Sequence, residues 1–274
     1  MTMRISLNTS KWYDNLWAAF IFFTRLPLWR IHEPPRECYR AVVEYWPLVG
    51  WLTGALMGGV IYLGGMFLPQ AVAVLLAIAA RILLTGALHE DGLADFFDGF
   101  GGGGGDRRRI LDIMKDSRIG TYGVIGIVMY LLLLFFLLTS MPAPLAALVV
   151  FAADPFCKMV SGQIISMMPY ARKEDEAKAK VVYRKISLKA GILLFVQGVL
   201  PLALLVFVTD GAVRWDLLIF APCLVMYFLY LLIWHRLRGY TGDCCGAMFL
   251  LTELSFYLCA TYQFIDNKAL WTLF

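Results

Sequence analysis

The sequence predicts an all-α, polytopic integral membrane bundle of about seven transmembrane helices preceded by an N-terminal interfacial or re-entrant helix. Three observations predict it. The chain is 60% hydrophobic and only 16% charged, with a mean hydropathy of +0.70, which excludes an ordinary soluble domain. Its apolar residues gather in runs of about 20, the length that crosses ~30 Å of hydrocarbon at 1.5 Å per residue. Its basic residues fall on alternate connections between those runs, as the positive-inside rule requires. The whole chain, 1–274, reads as one membrane domain, with 1–44 as a cytoplasmic or interfacial segment and 89–120 as a cytoplasmic active-site segment.

Residues 10–30, SKWYDNLWAAFIFFTRLPLWR, start at a Ser10 N-cap, carry Trp12, Leu16, Phe20 and Phe23 on one stripe, and stop at Pro27. The stretch is short and flanked by aromatics, which favours a helix at the interface over a span. Seven runs then follow, at about 45–68, 70–89, 121–140, 143–166, 189–209, 216–235 and 244–265. With a cytoplasmic N-terminus, the cytoplasmic segments 1–44, 90–120, 167–189 and 236–243 hold 20 of the 24 Lys and Arg. The glycines of the first run, among them Gly50, Gly54 and Gly58, predict close helix packing. Asp154 and Lys158 lie one turn apart within a run and predict a buried ion pair, and Arg81 and Glu253 are expected to face the bundle interior as well. The six cysteines form no CxxC pair and read as small buried hydrophobes. No secretory signal precedes the first run, so the spans themselves are expected to direct insertion.

Chemistry concentrates in HEDGLADFFDGFGGGGGDRRRILDIMKDSRIGTYG, residues 89–123. On a helix over 85–99, Asp95 stands roughly 40° from Asp91 and Asp98 roughly 20° on the other side, so three carboxylates share a face. Like charges so spaced repel, and a hard divalent cation such as Mg²⁺ relieves the conflict while taking its remaining ligands from phosphate and water. The alternative is a solvated acidic face. Gly92 and Gly99 weigh against it, since each weakens a helix by about 1 kcal/mol and opens the backbone to a ligand or a second helix. The run Gly101–Gly105 reads as a hinge, with direct phosphate contact as the alternative, because no GxxxxGK[ST] or GxGxxG is present. Lys115 and Arg118, beside Asp112 and Asp116, are the candidate phosphate ligands among the basic residues that follow. His89 is a candidate acid–base group, whereas His32 reads as a packing residue. A second constellation, GYTGDCCG at 239–246, puts Thr241, Gly242 and Asp243 at the start of the last run, where Asp243 is either an N-cap or part of the site. Together these features predict metal-assisted phosphoryl transfer with one partner in the membrane.

At the same residues the chain resembles the cobalamin synthase (adenosylcobinamide-GDP ribazoletransferase) family. The matching pieces are FFTRLP at 22–27, LHEDGLADFFDGFGG at 88–102, RRRILDIMKDSRIGTYG at 107–123 and YTGDCCGAMFLLTE at 240–253. The resemblance implies a Mg²⁺-dependent enzyme of the bacterial cytoplasmic membrane that joins adenosylcobinamide-GDP to α-ribazole or its 5′-phosphate and releases GMP. In that reading Asp91, Asp95 and Asp98 hold the metal and Asp98 or His89 moves the proton. Glu90, Gly92, Gly99, Asp112, Lys115, Asp116, Arg118, Thr241, Gly242, Asp243 and Glu253 contribute to the substrate site. The lipid bilayer is the expected setting, nucleic acid is not expected as a partner, and a homo-oligomer is compatible. The rival readings are a CDP-alcohol phosphatidyltransferase-like lipid enzyme, whose DGxxAR pattern is not met by DGLADFFDG, and a transporter, for which Asp154, Lys158 and Glu253 inside spans would speak.

Overall fold

A computed structural model describes residues 11–172 and 182–266, without the side chains of Trp12, Ile265 and Asp266. Ser10 and residues 173–181, within the basic connection 167–189, lie outside the described residues. The chain folds into helices α1 (Trp12–Phe23), α2 (Trp46–Gly64), α3 (Gln70–Thr85), α4 (Leu88–Gly102), α5 (Arg107–Lys115), α6 (Thr121–Thr139), α7 (Ala143–Gly162), α8 (Ile164–Met167), α9 (Leu188–Val208), α10 (Trp215–Leu237) and α11 (Gly242–Asp266). Two 3₁₀ segments, Leu28–Arg30 and Arg36–Tyr45, join α1 to α2. Among the described residues, six stretches are long and apolar enough to cross a membrane, and the bent pair α3 and α4 makes a seventh if counted as one span.

α7 and α11 form the centre, with 72% of each apolar window buried, while α6, α9 and α10 are peripheral at 22%, 33% and 17%. Their outer faces carry Phe136, Phe195, Phe207, Phe220 and Phe228 exposed, the arrangement that lipid rather than water accommodates. α2 lies against α7 through its glycines. A methyl added at Gly50 would stand 2.7 Å from Asp154 Oδ1, and one at Gly58 would stand 2.7 Å from the Ala147 carbonyl oxygen. The small-residue stripe is therefore a helix contact, as expected.

The charged side chains of Asp154, Lys158, Arg81 and Glu253 are paired in the interior. Lys158 bonds Asp154 along α7 and donates to Thr53 on α2 at 3.1 Å, while Thr53 donates to Asp154 at 2.7 Å. Arg81 of α3 donates through Nη1 to both oxygens of Glu253 on α11, at 2.7 and 2.8 Å. Its Nη2 reaches the Tyr130 hydroxyl at 2.8 Å, and Tyr257 donates to Glu253 at 2.8 Å. Charges held in hydrocarbon require partners of this kind.

The second run ends sooner than the sequence predicts. α3 stops at Thr85, Gly86 and Ala87 adopt left-handed φ of +65° and +58°, and α4 leaves at 90°. Arg25 of the FFTRLP segment seals the corner, donating its backbone N–H to the Leu84 carbonyl at 2.7 Å and laying its side chain on Gly86. α1, 12 residues long, is too short to span and ends at Phe23, well before Pro27.

Candidate active site

Trp46, where the 3₁₀ segment Arg36–Tyr45 passes into α2, and the N-terminal ends of α4 and α11 meet around one cavity of about 330 Å³, lined also by Leu88, His89 and Asp91, and by Gly242, Asp243, Cys245 and Gly246. Phe22, Phe23, Val43, Tyr170, Arg172 and Tyr183 complete it. Unpaired N–H groups and helix dipoles make such ends favourable for anions.

Glycines set the approach of α4 to α11. A Cβ at Gly92 would lie 3.1 Å from the Asp243 Cα, and one at Gly246 would lie 3.3 Å from the His89 carbonyl oxygen. Of the two explanations for Gly92, a ligand or a second helix, the structure shows the helix. Thr241, buried, takes the capping role at α11, its hydroxyl accepting from the Cys244 N–H at 3.3 Å and donating to Asp243 at 3.3 Å. Asp243 lines the cavity wall with Asp91, which is solvent-exposed.

The other expected ligands are placed elsewhere. Asp98 is buried, and its oxygens accept from the Gly120 N–H at 2.6 Å and the Gly123 N–H at 2.8 Å, so it closes the N-terminus of α6. Asp95, half-buried on α4, and Glu90, buried with Oε2 lacking a partner, are not among the lining residues. Gly99 admits Met114 and the Ile110 carbonyl of α5. Glu253 is fully buried in its pair with Arg81, and with Asp154 and Lys158 also paired, the charges that spoke for a transporter are structural contacts. Lys115 and Asp112 are exposed outside the cavity. Arg118 is turned onto Asp116, with Nη2 to Oδ2 at 2.8 Å, and that hydrogen bond holds the Asp116 carboxyl below its ordinary value. The glycine run forms the last turn and C-cap of α4, and the Gly104 carbonyl accepts from Arg236. It presents carbonyl groups, which do not suit phosphate.

Several lining residues carry no motif in the sequence. Arg172 is the basic member of the cavity and also donates to the Leu111 carbonyl at 2.7 Å. Tyr170 reaches the site because its neighbours bridge to the start of α11, Ala171 N–H to Tyr240 oxygen at 2.8 Å and Tyr240 N–H to Pro169 oxygen at 2.9 Å. Burial raises its phenol to about 12, so it is a neutral hydrogen-bonding group at physiological pH. Tyr183 is fixed by the next residue, since Arg184 makes a two-pronged pair with Glu44 at 2.6 and 2.8 Å. Phe22 and Phe23, in the FFTRLP piece, supply further aromatic wall. The FFTRLP piece was the available signal for the two phenylalanines, whereas Trp46, Tyr170 and Tyr183 lie far in sequence from the acidic stretch.

Among the described residues, no three His, Cys, Asp or Glu side chains gather closely enough to hold a metal by themselves. The donor set on the cavity wall, two carboxylates at helix N-termini, suits an ion that takes one or two carboxylates and completes its shell with phosphate and water, which is the habit of Mg²⁺.

Fold and site define a polytopic membrane enzyme with an acidic, aromatic-walled cavity where two helix N-termini converge. The chain belongs to the cobalamin-5-phosphate synthase family, whose model matches residues 15–261, and so to the enzymes that assemble the nucleotide loop in cobalamin biosynthesis. Among its curated relatives, the adenosylcobinamide-GDP ribazoletransferase of Vibrio parahaemolyticus is 39% identical over 242 residues, 88% of this chain and 89% of the relative. The protein of the same name from Shewanella baltica is 36% identical over 251 residues, 90% of this chain and 93% of the relative. No solved structure matches the chain.

Proposed function

We propose that the cavity is the site of a Mg²⁺-dependent transfer that joins adenosylcobinamide-GDP to α-ribazole or its 5′-phosphate, releasing GMP and yielding adenosylcobalamin or its 5′-phosphate. The observation that carries this reading is the convergence of the N-termini of α4 and α11, two carboxylates and an arginine on one space. N–H dipoles and Arg172 favour a diphosphate there. Asp91 and Asp243 would hold the cation, which when bound neutralises diphosphate charge and stabilises the departing GMP. A ribose hydroxyl of the acceptor forms the new P–O bond as the bond to GMP breaks. The hydroxyl proton passes to a carboxylate oxygen of Asp91 or Asp243, with His89 as a further titratable group on the wall. The charge asymmetry of the connections supports a cytoplasmic site in the bacterial inner membrane.

The test is GMP release by the purified protein in detergent. Release is expected to need adenosylcobinamide-GDP, α-ribazole and Mg²⁺ together, and Asp91→Asn is expected to remove it by about 10²-fold or more while leaving the melting temperature unchanged. Turnover that persists without Mg²⁺, or in Asp91→Asn, overturns the metal assignment. CMP release from a lipid donor would return the lipid-enzyme reading.

A further inference from the structure

The cavity sets two carboxylates on its wall, and nothing in their chemistry distinguishes one hydroxyl from another. Asp91 and Asp243 accept a proton from water as readily as from a ribose. Water attacking the donor's diphosphate would also release GMP, its oxygen forming the new P–O bond as the bond to GMP breaks and its proton passing to a carboxylate. What favours the acceptor must therefore lie in the rest of the wall.

One side of that wall is held by a polar clasp that the transfer itself does not use. Tyr183 lines the cavity and meets Phe22 edge to face at 6.1 Å, and Phe22 continues the wall to Phe23 at 4.9 Å. The next residue, Arg184, fastens the chain to the 3₁₀ segment Arg36–Tyr45 by three bonds. Its backbone N–H donates to the Arg40 carbonyl at 2.9 Å, its Nε to Glu44 Oε1 at 2.6 Å and its Nη2 to Glu44 Oε2 at 2.8 Å. Glu44 is in turn fixed from α9. Gln197 donates to its carbonyl at 3.2 Å and accepts the Leu48 N–H, an orphan donor in the first turn of α2, at 3.0 Å. The Gln197 carbonyl is open to a partner outside its helix because Pro201 has no N–H to give it, and Trp51 Nε1 donates to it at 2.8 Å.

Glu44 is 6% exposed, and a carboxylate buried to that extent is tolerated only with its cation in place, whereas an apolar pair of similar size would hold the chain as well. What the ionic pair adds is a single register. The planar guanidinium fits both carboxylate oxygens in one orientation, and that orientation fixes the residue before it.

We infer that Glu44 and Arg184 are positioning residues of the transfer, which hold Tyr183 against Phe22 as part of the wall, keep water from the phosphoryl centre and leave the attacking place to the ribose hydroxyl. The inference rests on the transfer proposed above and adds what makes it a transfer rather than a hydrolysis.

Two readouts on the full chain in detergent test it. The first is GMP release from adenosylcobinamide-GDP and Mg²⁺ with and without α-ribazole, the cobalamin product being measured alongside. The second, independent of turnover, is the rate at which a water-soluble maleimide labels Cys245, a buried cysteine of the cavity wall, read by peptide mass spectrometry. Arg184→Gln is expected to raise acceptor-independent GMP release and Cys245 labelling each by about tenfold, the value of one charge-assisted hydrogen bond, and to lower the cobalamin formed per GMP. Tyr183→Ala is expected to give the same changes with the ion pair intact, and adding Arg184→Gln to it is expected to change nothing further. Tyr183→Ala also carries the test should Arg184→Gln fail to fold. Transfer and hydrolysis that fall together at an unchanged ratio, or effects of the two variants that add, overturn the positioning role. Unchanged Cys245 labelling overturns the wall whether or not GMP is released. Faster Cys245 labelling in the variants of a parent protein that releases no GMP upholds the wall and removes the transfer.

Discussion

Asp91 and Asp98 stand about 20° apart around the axis of α4, but they serve different neighbours. Asp91, in the first turn, faces the cavity that the starts of α2 and α11 complete. Asp98, two turns on, accepts the N–H groups of Gly120 and Gly123 where α6 begins. A carboxylate at that position meets the positive end of the helix dipole as well as two orphan donors. Asp98→Ala is accordingly expected to destabilise the protein by about 0.5–2 kcal/mol, read as a lower midpoint of thermal unfolding in detergent. A midpoint equal to that of the parent would remove the capping role. The sequence marks both aspartates equally, because periodicity reports angle around one helix and is blind to which second helix begins beside each turn. The same blindness hid Trp46 and Tyr183, whose approach to the site depends on the 3₁₀ segment Arg36–Tyr45 and on the Arg184–Glu44 pair.

Among the elements, the contact between α4 and α11 decides whether two distant stretches of sequence become one site. Gly92 and Gly246 permit it, each with the other helix's backbone where a side chain would otherwise project. Gly92→Val is expected to push α11 away from α4 and to lower kcat/KM by about 10²-fold, the usual consequence of a misplacement near 1 Å, with Asp91 and Asp243 both still present. Full activity in a Gly92→Val protein would show that the two carboxylates need not be so close. This contact was half legible. Gly92 announced a close approach, and the GYTGDCCG stretch announced a helix start. That the two meet follows only once Thr241 is seen to cap α11, with Asp243 on the cavity wall beside Asp91. The α3–α4 corner was not legible, since residues 70–89 read as one mainly apolar run and the break depends on Gly86 and Ala87 both adopting left-handed backbone under Arg25.

At the scale of the whole molecule, hydropathy and charge asymmetry were enough to predict the helical membrane class, because a bilayer leaves few ways to satisfy the backbone. They were also enough to predict the Asp154–Lys158 pair, which is local. Arg81 and Glu253 were placed correctly in the interior, but their mutual pairing spans 172 residues and is invisible in spacing. That pair, joined by Tyr130 and Tyr257, ties α3, α6 and α11 at the level where the cavity-bearing helices are held together. Removing one partner leaves a buried charge without compensation, which typically weakens a fold by ~3–5 kcal/mol, whereas replacing both by apolar residues is often nearly neutral. Arg81→Met and Glu253→Leu are therefore each expected to lower the unfolding midpoint sharply and to reduce the yield of folded protein. The double replacement is expected to recover most of that loss, because it removes both charges from the interior and leaves Tyr130 and Tyr257 to meet apolar surface. A double variant no more stable than the weaker single one would mean that the tyrosines depend on the ions and that the four side chains act as a unit rather than as a pair with two attendants.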